Sequence, residues 1–147
     1  RNVFDNLAFP LAMDGCNKNE IFERVNLYLK KFDIYKFKKN SARKLSGGLA
    51  QFVSFVRSVV TEPDILILDE PFSNLDASLK NKIENYLINH KLKRKIILVT
   101  HDLFQAQRLA DEIILMDSGS MVSKSINKKL MNSKNVKVKA FLNRNYL

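Results

Sequence analysis

The stretch that most restricts the fold is the apolar run Ile65, Leu66, Ile67, Leu68, which breaks off into Asp69, Glu70 and Pro71. A run this short and this apolar reads as a strand buried on both faces, the situation of a strand in a parallel sheet covered by helices. Its two acids then lie at the strand's C-terminal edge. The pattern recurs downstream, with a helix expected over residues 79–90, a second buried strand over 96–100, a helix over 104–110 and a third strand over 113–116. Strands alternating with helices imply a parallel α/β sheet. Asp117, Ser118 and Gly119 read as a turn into a short strand near 121–123.

Upstream the periodicity changes. Ile21, Phe22, Val25, Tyr28, Leu29 and Phe32 recur at three- and four-residue spacings between charged residues, which predicts an amphipathic helix over 19–32. A short apolar stretch from Val3 to Leu11, ending around Pro10, precedes it, with a polar loop at 14–19 between them. A basic connector follows at 36–44. Ser46 can cap the backbone amides of a helix running to about Val60, with Leu49, Phe52, Val53, Val56 and Val59 on its buried side, before Pro63 ends it.

Length and charge narrow the partners. With 147 residues, 46% of them hydrophobic, the chain suffices for one globular domain and not two. A single cysteine, Cys16, rules out an internal disulfide framework. No apolar run approaches the roughly 20 residues that cross a bilayer. The net charge of +10 raises the question of nucleic acid. The lysines, however, are dispersed among loops and polar helix faces beside asparagines, so a solvated surface is the reading and no nucleic-acid partner is expected.

Three places carry chemistry. Ser46, Gly47 and Gly48 set a hydroxyl and two side-chain-free residues at a helix N-terminus, where unpaired N–H groups and the helix dipole favour an anion. A plain helix cap explains such a triplet equally well, so a second motif is needed. Asp69 and Glu70 supply it, because ligands in open α/β sheets collect beyond the carboxyl ends of strands, and adjacent acids there suit a hydrated Mg²⁺ and a water-activating base. Asp76 follows six residues later. His101, after the next strand, would emerge at the same sheet edge, within reach of a shared phosphate.

In this order, the Leu45 to Gly48 segment, the 65–71 strand and its acids, Ser73 to Asp76, and His101 resemble the signature, Walker B, D-loop and H-loop of ABC ATPases. The segments 61–76 and 99–111 look like importer-type subunits, and the resemblance covers nearly the whole chain. It implies a P-loop NTPase-type, RecA-like parallel sheet with an α-helical subdomain, incomplete in this chain: residues 1–60 helical, 61–125 the C-terminal half of the ATPase core, 126–147 a basic tail. It also implies an ATP-hydrolysing subunit using ATP and Mg²⁺. That subunit lies on the cytoplasmic face of the membrane and pairs head to tail with a second nucleotide-binding domain, beside permease subunits and, for an importer, a substrate-binding protein. By the resemblance, Ser46, Gly47 and Gly48 hold the γ-phosphate of a partner's ATP. Asp69 organises Mg²⁺ through water, Glu70 polarises the attacking water, His101 holds the γ-phosphate, and Asp76 couples the two sites. The segments 101–111 and 139–142 resemble tungstate and molybdate importers.

The pattern also has departures. No G-x-x-x-x-G-K-[ST] occurs, and the glutamine loop expected before Val3 is absent, so the chain reads as a C-terminal fragment that is inactive alone. In the family's sheet order the phosphate-loop strand lies between the strands at 96–100 and 113–116, so its absence implies a gap there. Leu49 and Ala50 replace polar residues after the glycines, and Phe52 stands where the family commonly has Arg, which implies a weakened signature. The alternatives are a non-catalytic remnant of such a subunit and a soluble ABC-type ATPase of DNA maintenance. The latter precedes its signature with long coiled coils, which this sequence does not have.

Overall fold

The computed structural model describes residues 1–126 and 138–140, which fall into two compact units, 1–97 and 98–147. The first unit opens with three helices, α1 (Val3–Met13), α2 (Lys18–Lys31) and α3 (Gly47–Val59), and α1 packs against both of the others.

Each helix begins where a side chain can satisfy its orphan amides. The Asn2 side chain accepts the Asp5 N–H at 2.8 Å to start α1. At α2, Asn17 accepts the Asn19 and Glu20 amides, both at 3.0 Å, while Glu20 takes the Asn17 N–H at 2.8 Å, a reciprocal capping box. The far end of α2 closes as sharply: Asp33 adopts φ +57° and Ile34, fully buried, donates to the Leu29 carbonyl at 2.9 Å.

The apolar stretch expected to end near Pro10 is instead a helix that continues through the proline to Met13. Proline removes one intrahelical bond. Burial of Val3, Leu7 and Leu11 at four-residue spacing holds the helix together nonetheless. The apolar face of α2 is likewise narrower than its sequence pattern. Val25, Tyr28, Leu29 and Phe32 are buried, whereas Phe22 is 56% exposed and lies against Phe4 with ring centroids 6.2 Å apart.

The basic connector is two short 3₁₀ turns, Tyr35–Phe37 and Ala42–Lys44, that run back along the start of α1, with Val3 and Phe4 donating to the Asn40 and Lys38 carbonyls. One of its lysines is not merely solvated. Lys38 donates to Asn26 Oδ1 at 2.7 Å and sits 4.9 Å from the ring centres of both Phe4 and Phe22.

The core of this unit is aromatic. Phe32 meets Phe52 and Phe55 edge-on, each at 5.8 Å, and Phe55 meets Tyr86 edge-on at 5.6 Å. Phe52 is fully buried, so the residue that departs from the family's arginine is part of the core. The Tyr28 hydroxyl donates to Glu62 at 2.8 Å, and burial followed by that hydrogen bond pushes its pKa well above the ordinary value.

After α3 come β1 (Ile65–Asp69), α4 (Ala77–His90) and β2 (Lys95–Val99), the last spanning the division between the units. The two strands pair in one two-stranded sheet, with α4 as the crossover that parallel strands require. The expectation that β1 is buried on both faces is corrected. Leu66 and Leu68 are buried, but Ile65 and Ile67 are 56% and 66% exposed. Among the described residues, only one side of the strand is packed.

In the second unit, α5 (Leu103–Leu109) precedes a separate sheet of β3 (Glu112–Asp117) and β4 (Ser120–Ile126). These strands are antiparallel and joined through Ser118 and Gly119, both at positive φ (+49° and +76°), as a two-residue hairpin turn demands. The last strand is thus longer than the short one expected at 121–123. Leu103, Ile113, Leu115 and Val138 form a small buried cluster. The expected basic tail over 126–147, apart from Ile126 and 138–140, lies outside the described residues, as do 141 and 142 of the segment 139–142. No helix among the described residues is long and apolar enough to cross a membrane.

Candidate functional site

The start of α3 and the loop after β1 meet within the first unit. Ser46 caps α3, its hydroxyl accepting the Leu49 N–H at a long 3.4 Å, and Gly47 and Gly48 form the first turn, whose amides have no acceptor within the helix. The two glycines do different things. A Cβ on Gly47 would meet nothing within 4 Å, so its side of the turn faces open space that a phosphate can enter. A Cβ on Gly48 would stand 2.5 Å from the Asn74 carbonyl oxygen, so Gly48 is where α3 presses against the loop.

That loop is built on left-handed backbone. Glu70 has φ +45° and Asn74 φ +58°; asparagine visits this region readily, whereas a glutamate adopts it only under local constraint. The constraint is visible: Ser73 donates to the Glu70 carbonyl through its hydroxyl at 2.9 Å and its amide at 3.3 Å, and Gln51 donates to the same carbonyl at 2.9 Å and to Ser73 Oγ at 2.8 Å. Pro71, Phe72 and Leu75 are buried beneath it. Asp69 ends β1 exposed, Glu70 is half-buried, and Asp76 is exposed, with its carboxylate accepting the Leu79 N–H at 2.9 Å as the N-cap of α4.

Ser46, Gly47, Gly48, Asp69, Glu70 and Asp76 therefore occupy one unit. His101 belongs to the other, exposed just beyond β2. Its neighbours form a frame of their own: the Asp102 amide donates to Thr100 Oγ1 at 3.0 Å, Thr100 donates to Gln105 at 3.2 Å, and Asp102 caps α5 through the Gln105 N–H at 3.1 Å. Among the described residues no cluster of three or more His, Cys, Asp or Glu could enclose a metal. A hydrated Mg²⁺ held through water by one exposed carboxylate at a strand end does not need such a cluster.

Gln51 closes the motif segment 45–51, but the motif assigns it no role. It lies three residues after Gly48, hence on the same face of α3, and this spacing is the signal that could have pointed to it.

Chemically, the arrangement offers a helix start open to an anion, tied to a strand end that presents two carboxylates. Residues 2–73 match the family model described as ABC transporter. Over 122 residues the chain is 39% identical to the maltose/maltodextrin import ATP-binding protein MalK of Yersinia pestis, covering 82% of this chain and 33% of the relative. Over 121 residues it is 38% identical to the tungstate uptake system ATP-binding protein TupC of Peptoclostridium acidaminophilum, covering 81% and 56%. It thus spans between a third and a little over half of these relatives. A solved structure of a metal-chelate type ABC transporter in an inward-facing conformation superposes with a TM-score of 0.81 at 19% identity, covering 97% of this chain and 59% of the other, a likeness of fold.

Proposed function

The chain belongs to the ABC transporter family of ATP-binding proteins, and on that premise we propose that it is part of an ATP-binding, ATP-hydrolysing subunit that energises import of a small solute. The observation that carries the reading is the contact, within one unit, between the first turns of α3 and the loop after the acid-ended strand: Gly48 abuts the Asn74 carbonyl, and Gln51 donates to the Glu70 carbonyl and to Ser73.

In this reading the subunit pairs head to tail with a second nucleotide-binding domain. The Gly47 and Gly48 amides and the Ser46 hydroxyl donate to the γ-phosphate of the partner's ATP, in the open space above Gly47. Asp69 holds the waters of a Mg²⁺ ion, which neutralises phosphate charge when bound. Glu70 accepts the proton of the attacking water, His101 donates to the γ-phosphate, and Asp76 lies where the two sites communicate. Phosphoryl transfer asks chiefly for such positioning and charge stabilisation. The permease subunits and a solute-binding protein complete the assembly at the cytoplasmic face of the membrane. Similarity to the tungstate uptake protein makes an oxyanion the first solute to try.

A second reading, a non-catalytic subunit, is favoured by Leu49 and Ala50, which bring no side-chain donors to the signature turn. One experiment separates the two. Fusing a segment that carries a G-x-x-x-x-G-K-[ST] sequence ahead of residues 1–147 supplies a phosphate loop. Mg²⁺-dependent ATP hydrolysis that Glu70→Gln abolishes supports the catalytic reading. ATP binding with no hydrolysis by the unsubstituted fusion refutes it and leaves the second.

A further inference from the structure

We infer that Gln51 is a positioning residue: its carboxamide holds the left-handed turn at Glu70 and thereby ties the aim of the Glu70 carboxylate to the N-terminal turn of α3. The inference rests on the function proposed above. Glu70 leaves β1 with φ +45°, and the direction of its side chain depends on that backbone staying put. Its carbonyl accepts from Gln51 Nε2 at 2.9 Å and from Ser73 Oγ at 2.9 Å, and the same Gln51 nitrogen donates to Ser73 Oγ at 2.8 Å. The three atoms form a nearly equilateral triangle, so the Gln51 amide nitrogen, with its two N–H groups, is shared between the two acceptors. The reversed amide would set its oxygen against the Glu70 carbonyl, so the geometry admits only this orientation.

One turn earlier on the same face, Gly48 abuts the Asn74 carbonyl so closely that no Cβ fits. Two attachments three residues apart therefore fasten α3 to the loop from Glu70 to Leu75. A phosphate drawn onto the Ser46 to Gly48 turn pulls on the same helix that grips Glu70. In a head-to-tail pair these two places serve different ATP molecules, so the Gln51 link lets occupancy of one site set the aim of the base at the other, within a single subunit.

The test uses Gln51→Met, which keeps an unbranched side chain and removes both donors, and Gln51→Glu, which keeps the shape but restores a donor only when protonated. Hydrogen exchange on the 147-residue chain is expected to rise about tenfold at the Ser73 and Leu75 amides in Gln51→Met, the loss expected from hydrogen bonds of ordinary strength, with α2 and α4 unchanged. In Gln51→Glu the same rise is expected at pH 8 and its reversal as the carboxyl protonates near pH 4 to 5. In the fusion that supplies the phosphate loop, Gln51→Met is expected to lower kcat about tenfold while KM for ATP stays within about twofold, since the base moves and the nucleotide's own loop does not.

Unchanged exchange at Ser73 and Leu75 overturns the inference, as does a rise spread across the whole unit or a KM effect without a kcat effect. If the unsubstituted fusion hydrolyses no ATP, the catalytic reading fails, while the exchange measurement still decides whether Gln51 holds the turn.

Discussion

Replacing Gly48 by Ala sharpens the distinction between the two glycines of the signature turn. The added Cβ would lie 2.5 Å from the Asn74 carbonyl oxygen, about 0.9 Å inside the start of ordinary contact at 3.4 Å. The obstacle is backbone, and Asn74 is already held at φ +58° between the buried Phe72 and Leu75, so it cannot rotate aside like a flexible side chain. The strain must be shared between a shift of α3 and a shift of the loop, in the range of about 1 to 3 kcal/mol for overpacking. Gly47→Ala is the control, because its Cβ meets nothing within 4 Å and alanine favours helix by up to about 1 kcal/mol over glycine. Urea unfolding followed by circular dichroism is expected to place the Gly48→Ala midpoint well below the parent's and the Gly47→Ala midpoint at or slightly above it. In the phosphate-loop fusion, Gly47→Ala is instead expected to lower ATP turnover, because the methyl group enters the space kept for phosphate. Equal stabilities for the two variants would refute the assignment of Gly48 to packing.

Other consequences can be measured on the same material. Asp76→Ala should cost about 1 kcal/mol of stability through loss of the α4 cap, whereas Asp76→Asn keeps the cap, so any loss of ATP turnover in Asp76→Asn isolates a role beyond it. The Tyr28 hydroxyl ionises near pH 10 when unfolded and well above that when folded, so its contribution is complete below pH 10 and declines as pH rises beyond it. Urea midpoints measured from pH 8 to pH 11 should therefore fall less steeply at the alkaline end in Tyr28→Phe, which is weaker than the parent by about 1 kcal/mol at neutral pH through its lost bond to Glu62. Leu49→Gln in the fusion is expected to raise ATP turnover by restoring a polar group beside the anion, and no gain in a steady-state phosphate-release assay would count against a weakened signature. The 147 residues by themselves should release no phosphate from ATP in that assay.

Much of the frame could be read from patterns that depend on local physics. The helix over 19–32 and the one opening at Ser46 came from spacing and capping groups, and both are present within a residue or two of the expected ends. The strand ending in Asp69 and Glu70 was evident from four apolar residues meeting two acids. What escaped depended on neighbours distant in sequence. Pro10 reads as a terminator because its local cost is known, while the packing of Val3, Leu7 and Leu11 that outweighs it is decided by α2 and α3. An unbroken apolar run cannot say which of its faces is covered, and among the described residues one face of β1 is bare. Gln51 stands in the 45–51 segment, yet its role is not legible there for a related reason: a carboxamide on a helix surface has no characteristic period, and its partners lie in a loop nineteen or more residues away.

The uncovered row on β1 has a consequence for how the chain survives in solution. Among the described residues, Ile65 and Ile67 present two large side chains, 56% and 66% exposed, on one face of a two-stranded sheet. Docking of another part of the same molecule onto such a row proceeds at a rate independent of concentration, whereas capture by a second molecule accelerates with every molecule added. Halving the amount synthesised, or refolding in a larger volume, therefore shifts the contest toward the monomer. The fraction recovered soluble should depend on dose, and a like-charged surface of net +10 slows encounters most at low ionic strength.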